Sequence, residues 1–198
     1  MSKAVDFIVE RENLRHAKFV PAPDPERVDL GADHALLRVD AFAFTANNIT
    51  YAVFGDAMQY WNFFPGDAAD KGDDTVWGRI PVWGFGDVVE SRTVGVDEGR
   101  RLYGYFPMST DLVVSPGKLD ARGFRDLTPH RQPMAAVYNR YVFADGLSKD
   151  LHLGVFYAGP GTFWTDLKGF EQVMLGKLAE DSSKKTSTPI AGRTSPDR

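Results

Sequence analysis

From His34 to Phe44 the chain alternates: Leu37, Val39, Ala41 and Ala43 fall on one face of an extended backbone, Arg38 and Asp40 on the other. Side chains of a strand point alternately to opposite faces, so this period of two marks a half-covered strand and not a helix. Phe42 and Phe44 make the second face apolar at its far end, which takes the strand from solvent into a covered region and puts its C-terminal end near a cleft or interface. Similar short runs surround it. Val5 to Glu10 and Leu14 to Val20, separated by Arg11-Glu12-Asn13, read as a hairpin, and further strands are expected at Val76 to Glu90, Arg101 to Phe106 and Thr110 to Val114. Gly and Pro punctuate these runs, and Pro21-Ala22-Pro23-Asp24-Pro25 is a connector because proline fixes φ and lacks an N–H. Many short strands without intervening helices predict a mainly β barrel or sandwich.

Other segments break the pattern. Asn47 to Phe64 carries Tyr51, Phe54, Tyr60, Trp61, Phe63 and Phe64 without one period, and reads as a short helix with packed loops. Asp67 to Asp74 reads as an exposed acidic loop. Beyond Ala144 the character changes. Leu151 to Ala158 is a candidate strand, and Asp166 to Glu180 places Leu167, Phe170, Val173, Met174 and Leu178 at helical spacing, weakened by Gly169 and Gly176. Asp181 to Arg198 is a Ser-, Thr-, Lys- and Pro-rich stretch with Ile190 as its one large apolar residue, expected to be a disordered tail. The expected domains are therefore 1–144, an appended strand and helix at 145–180, and a tail at 181–198.

Charge and cysteine content narrow the function classes. A formal net charge of -4 gives no clustered attraction to nucleic acid or to an anionic membrane. No apolar run reaches the roughly 20 residues needed to span a bilayer, and Met1 to Asp6 shows no export signal. The absence of Cys removes disulfides and thiolate metal sites and fits a reducing, cytoplasmic setting. His16, His34, His130 and His152 are scattered without ligand spacing, and Asp67, Asp70, Asp73 and Asp74 lack the calcium-loop pattern.

Three blocks carry a family resemblance. Ala35 to Asn47 resembles the strand of medium-chain dehydrogenases/reductases that enters the active-site cleft and ends in an Asn in quinone-reductase-like members. Ile80-Pro81-Val82-Trp83-Gly84-Phe85-Gly86-Asp87-Val88-Val89-Glu90 resembles the family's Gly-punctuated strand after a Pro. Gly95-Val96-Asp97-Glu98-Gly99-Arg100-Arg101-Leu102-Tyr103-Gly104-Tyr105-Phe106 resembles its turn and following strand. Together they resemble the N-terminal, GroES-like domain of a zinc-independent member, over roughly the first three-quarters of the chain and in the wording of an uncharacterised branch. The resemblance implies a partly open β-barrel with short helices. Gly95 and Gly99 suit a turn with positive φ, and Gly84, Gly86 and Gly104 suit a bending barrel. Zinc-dependent relatives need Cys or His where Asn47 stands and Gly-His-Glu where Trp83-Gly84-Phe85 stands, so no metal is expected. Thr50 replaces an Asp common three positions after the family's Asn, which departs from quinone-reductase chemistry.

By the same resemblance, NAD(P)H would serve a full-length relative, the substrate would be a small carbonyl or activated alkene, and Asn47 and Tyr51 would orient it or supply a proton. The alternatives are that Asn47 is a cap or turn residue and that Tyr51 merely pairs its hydroxyl. Phe54, Trp61 and Phe64 are candidate pocket walls, although aromatic clusters are more often core, and Tyr138 and Asn139 are candidates at the domain boundary. Gly159-Pro160-Gly161 lacks the third small residue of a dinucleotide loop, Trp164 standing in its place, so no cofactor is expected to bind this chain alone. The sequence thus reads as the substrate-side domain of an NAD(P)-dependent reductase-like protein, ending before the nucleotide-binding half and inactive alone. The alternatives are a non-catalytic GroES-like module that binds a partner or self-associates as a homo-oligomer, and a degraded fragment.

Overall fold

A computed structural model describes residues 4–24, 29–66, 76–146 and 163–165, the last three by backbone course alone. By its internal contacts the chain divides into 1–167 and 168–198, and every described residue lies in the first unit. The expected Asp67–Asp74 loop, the Leu151–Ala158 strand, the Gly159-Pro160-Gly161 turn, the Asp166–Glu180 helix and the tail lie outside the described residues.

The fold is mainly β, curled into a partly open barrel. β1 (Val5–Glu10) and β2 (Ala17–Pro21) form the expected hairpin, and β1 also pairs with β4 (Trp77–Gly78). The larger sheet is built on β3 (Ala35–Phe44), which pairs antiparallel along one edge with β5 (Pro81–Ser91). Its other edge is shared by β7 (Asp111–Val114) near the start and β11 (Phe163–Thr165) near the end. From β5 the sheet continues through β6 (Arg101–Pro107) and β10 (Arg140–Phe143) to β9 (Gly123–Asp126) and β8 (Pro116–Asp120). The hairpin sheet is tied to the larger one where the Phe7 N–H donates to Met108 O at 2.8 Å and the Thr110 N–H to Val5 O at 3.0 Å. The buried Asp6 carboxylate there accepts from Ser109 Oγ and pairs with Arg79 at 2.9 Å.

β3 departs from simple alternation. Its pairing with β5 shifts between Leu36 and Leu37 and again between Val39 and Ala41, leaving Asp40 without a partner in the register. A bulge inserts a residue and re-aims those after it; Leu36, Leu37, Ala41 and Phe42 are consequently buried while Val39 and Ala43 are only partly so. The displaced Asp40 takes up Arg101 of β6, which also binds Asp87 of β5 at 3.0 Å. The expected single strand from Val76 to Glu90 is interrupted, β4 and β5 being separated by Arg79 and Ile80 before Pro81. Gly95 and Gly99 turn with φ of +84° and +82°.

Candidate functional site

β3 delivers the chain into α1 (Ala46–Val53), and the capping chemistry is local. Thr45 Oγ1 accepts from the Asn47 N–H at 3.1 Å, and Asn48 Oδ1 accepts from the Thr45 N–H at 2.6 Å. These reciprocal bonds satisfy N–H groups that a helix start leaves open. The buried Asn48 also donates through Nδ2 to Pro81 O at 2.9 Å, which fixes α1 to the start of β5. Thr45 and Asn48 thus do the capping, while Asn47 itself is exposed in the first turn.

Asn47, Tyr51 and Phe54 stand at i, i+4 and i+7, so they share one stripe of the helix and its end. Phe54 is exposed, whereas Tyr51 is half-buried against a wall of other rings. That wall comes from facing positions of β5 and β6. Trp83 pairs in register with Tyr105, and Phe85 with Tyr103. Trp83 stacks on Tyr103 with centroids 5.8 Å apart and planes 11° apart, and lies 5.0 Å from Tyr105. Tyr51 meets Tyr105 edge-on at 5.7 Å and Tyr60 at 4.9 Å. Tyr138 closes the group, 4.9 Å from Tyr105 and 6.0 Å from Tyr60. Tyr103 and Tyr105 are buried, while Tyr51, Tyr60, Trp83 and Tyr138 are partly open to solvent.

Burial holds Tyr51, Tyr103, Tyr105 and Tyr138 in their neutral form. The Tyr51 pKa is raised by burial despite hydrogen bonds with Trp83 and Tyr105. Those of Tyr103 and Tyr105 are raised well above the ordinary phenol value by burial and by neighbouring phenols, as is that of Tyr138, which is also hydrogen-bonded to Tyr60. The Tyr105 hydroxyl is buried without a well-directed hydrogen bond, yet it lies near enough to Tyr51 for each to affect the other's ionisation. At neutral pH the wall presents O–H donors, which suit an oxygen that gains negative charge.

The remaining expected residues lie deeper. Trp61 is 1% exposed and fills the space over Gly55 and Gly78. Phe64 is buried under the Arg131 guanidinium, 4.7 Å from its ring centroid. Asn139 is fully buried and donates to Arg131 O at 2.8 Å. Among the described residues no three His, Asp or Glu gather as a metal-ion cluster.

The wall contains residues that were not singled out as site candidates: Tyr60, Trp83, Tyr103 and Tyr105. A signal existed, since Trp83-Gly84-Phe85 and Tyr103-Gly104-Tyr105 each place two aromatics at the strand period, and successive antiparallel strands bring such pairs face to face. Arg131 gave no comparable signal. It is 1% exposed, paired with the fully buried Asp126 at 2.6 Å, and bound to Tyr141 Oη and Tyr138 O, both at 3.1 Å. Tyr141 Oη in turn donates to Tyr105 O at 2.6 Å, so one buried ion pair braces two members of the wall.

Comparison with known proteins gives a family match over residues 42–153, described as a protein of unknown function (DUF2855). That segment contains every residue of the site above. No curated protein matches the chain. Among solved structures, a mutant form of enoyl thioester reductase from Candida tropicalis is similar at 9% identity and a TM-score of 0.41, over 58% of this chain. The chain spans 32% of the length of that structure.

Proposed function

The chain belongs to the DUF2855 family, and on that premise we propose that it forms the substrate-side domain of an NAD(P)-dependent, zinc-independent reductase-like protein acting on a small carbonyl or activated alkene. The observation that carries this reading is Tyr51, a half-buried phenol kept protonated and set one helical turn from the exposed amide of Asn47. A carbonyl oxygen beside this stripe would accept from the Asn47 amide, and the Tyr51 hydroxyl would donate to it or pass it a proton as charge develops. The three sequence blocks ending in Asn47, Glu90 and Phe106 support the same family of chemistry.

Two groups of described residues that could cradle a dinucleotide's pyrophosphate are closed to it. The N–H groups at the start of α1, where a pyrophosphate could bind, are closed by Thr45 and Asn48, and Gly84 of β5 faces backbone, a Cβ there meeting Ala41 O at 2.4 Å. No hydride step is therefore assigned to them, and the nicotinamide would be held by other residues.

The test is titration of cyclohex-2-enone into the full chain, followed by NMR. Signals of α1 and of Trp83 should move, and Tyr51→Phe should weaken binding about tenfold, the effect of one hydrogen bond. Equal binding by wild type and Tyr51→Phe would overturn the assignment of Tyr51. Calorimetry with NADPH and NADH on the same protein tests the cofactor separately.

A second reading, self-association without catalysis, is favoured by one observation. Ile49, Val53, Phe54 and Met58 on α1 and the turn after it are 51–61% exposed, an apolar grouping that a second copy could cover. Sedimentation across a concentration series would show a dimer that Val53→Asp dissociates, whereas a monomer at all concentrations would remove this reading.

A further inference from the structure

Trp83 and Tyr105 stand opposite each other in register on β5 and β6, with ring centroids 5.0 Å apart. Directly opposed residues leave the same face of a sheet, so the indole N–H and the phenol hydroxyl are carried to one side. α1 is held against that region, because Asn48 Nδ2 donates to Pro81 O at 2.9 Å, two residues before Trp83. Tyr51, one turn along α1 from Asn48, consequently meets Tyr105 edge-on at 5.7 Å with planes 89° apart.

Donor and acceptor capacity decides how the three polar ends meet. An indole N–H can only donate, whereas a phenol has one proton and two lone pairs. Tyr105 is 0% exposed, its hydroxyl is buried without a well-directed bond, and the hydroxyl within its reach is that of Tyr51. Tyr138, the other phenol against it, is hydrogen-bonded to Tyr60. Were Tyr51 to donate to Tyr105, the Tyr105 proton would be stranded among the rings of Phe63 and Phe64. A buried donor without an acceptor is the rarer and costlier defect, so Tyr105 donates to Tyr51. Trp83 is also hydrogen-bonded to Tyr51 and has nothing to accept with. Both lone pairs of Tyr51 Oη are thereby taken, and its own proton is the capacity that remains.

A phenol that accepts two hydrogen bonds is the better donor, since each of them polarises its O–H. Negative charge gathering on Tyr51 Oη as the proton is drawn outward meets two fixed donors in place of mobile water. The described titratable groups that act on Tyr51 are the phenols of Tyr60, Tyr103, Tyr105 and Tyr138, so among the described residues no carboxylate draws its proton.

We propose that Trp83 and Tyr105 are positioning residues: the indole N–H and the buried hydroxyl both donate to Tyr51 Oη and turn its proton outward, so that the site selects ligands by a hydrogen-bond acceptor. The use of that proton on a substrate carbonyl rests on the reading given above for Tyr51, whereas the two bonds do not.

Tyr51→Phe and Tyr105→Phe each keep the ring and delete one hydroxyl, so both bonds can be tested on the full chain without removing a packed side chain. In Tyr51→Phe the Trp83 Nε1–H resonance should move upfield, as for an N–H that has lost its acceptor, and should exchange faster with solvent. In titrations of cyclohex-2-enone, Tyr105→Phe should weaken binding about threefold in the wild-type background and leave the affinity of Tyr51→Phe unchanged, which is coupling through Tyr51. Tyr105 is too deeply buried to touch the ligand itself. A Trp83 Nε1–H signal unmoved by Tyr51→Phe would overturn the proposal. Where Tyr51→Phe weakens binding, a Tyr105→Phe loss that is absent from the wild type, or equal in both backgrounds, would also overturn it. Equal enone binding by wild type and Tyr51→Phe, with the Trp83 signal displaced, would overturn the proposed function and uphold the two bonds.

Discussion

Asn47 and Asn48 are neighbours with the same side chain and opposite situations. Asn48 is buried and holds both the Thr45 N–H and Pro81 O, whereas Asn47 is exposed. Asn48→Ala should therefore lower stability by about 1–3 kcal/mol, through loss of the cap and two orphaned groups. Asn47→Ala should stay within about 0.5 kcal/mol; urea unfolding of the two variants makes the comparison. The sequence alone could not separate them, because a capping pair and a cleft residue both call for a short polar side chain at a strand end. Asp126 and Arg131 illustrate the same limit more strongly. Charges in a loop read as solvated, yet Asp126 accepts from Ser115 N, Thr128 N and Thr128 Oγ1 as well as from Arg131. Asp126→Ala strips the acceptor from all four and leaves a buried cation, so it should cost about 3–5 kcal/mol, read as a shift in the unfolding midpoint.

At the scale of elements, what was legible followed local pattern. The hairpin, β3, β6 and β7 announce themselves by alternation and turn residues, since a strand covered on one face has to alternate. The bulges of β3 were hidden, because an extra residue is set by the partner strand's register and not by the strand's own residues. β8, β9 and β10 were also missed. Lys118, Asp120, Arg122 and Arg125 mask the alternation of that stretch, in which β8 is largely exposed while β9, paired on both edges, buries Phe124 and Asp126. Gly84 shows how tightly β3 and β5 are joined, a Cβ there meeting Ala41 O at 2.4 Å and Phe42 Cα at 2.9 Å. Gly84→Ala should thus destabilise by about 1–3 kcal/mol, an overpacking effect, seen as a lower thermal midpoint.

For the whole molecule, the phenols set the behaviour at high pH. Tyr51, Tyr103, Tyr105 and Tyr138 have raised pKa values, and burial pushes Tyr141 up to about 12 even against the favourable field of Arg131. The unfolded chain loses phenolic protons near pH 10 while the native state keeps them, so it binds fewer protons than the native state above that pH. The sign follows: this contribution to stability is complete below about pH 10 and is lost progressively as pH rises through the folded values. Phenolate absorbance should accordingly rise at higher pH in the native protein than in urea, and unfolding should set in with it. Superimposable titration curves for native and denatured protein would contradict the buried wall. The wall was partly legible, its rings being visible in the sequence, but their convergence from α1, β5, β6 and the turn before β10 depends on topology.

The ties between β1 and the start of β7 have a consequence for how the chain is made. Val5 and Thr110 are 105 positions apart, and their hydrogen bonds join the first strand to one near the middle of the chain. At about 5–20 residues per second of translation, β1 waits on the order of 5–20 s for that partner to be synthesised. During this interval it has only β2 and then β4 beside it, and a lone hairpin is marginal in water. Phe7, Ile8 and Val9, buried in the finished protein, would spend that time uncovered. The nascent chain is consequently most open to chaperones, and to self-aggregation, at β1 while the residues up to Thr110 are still being added.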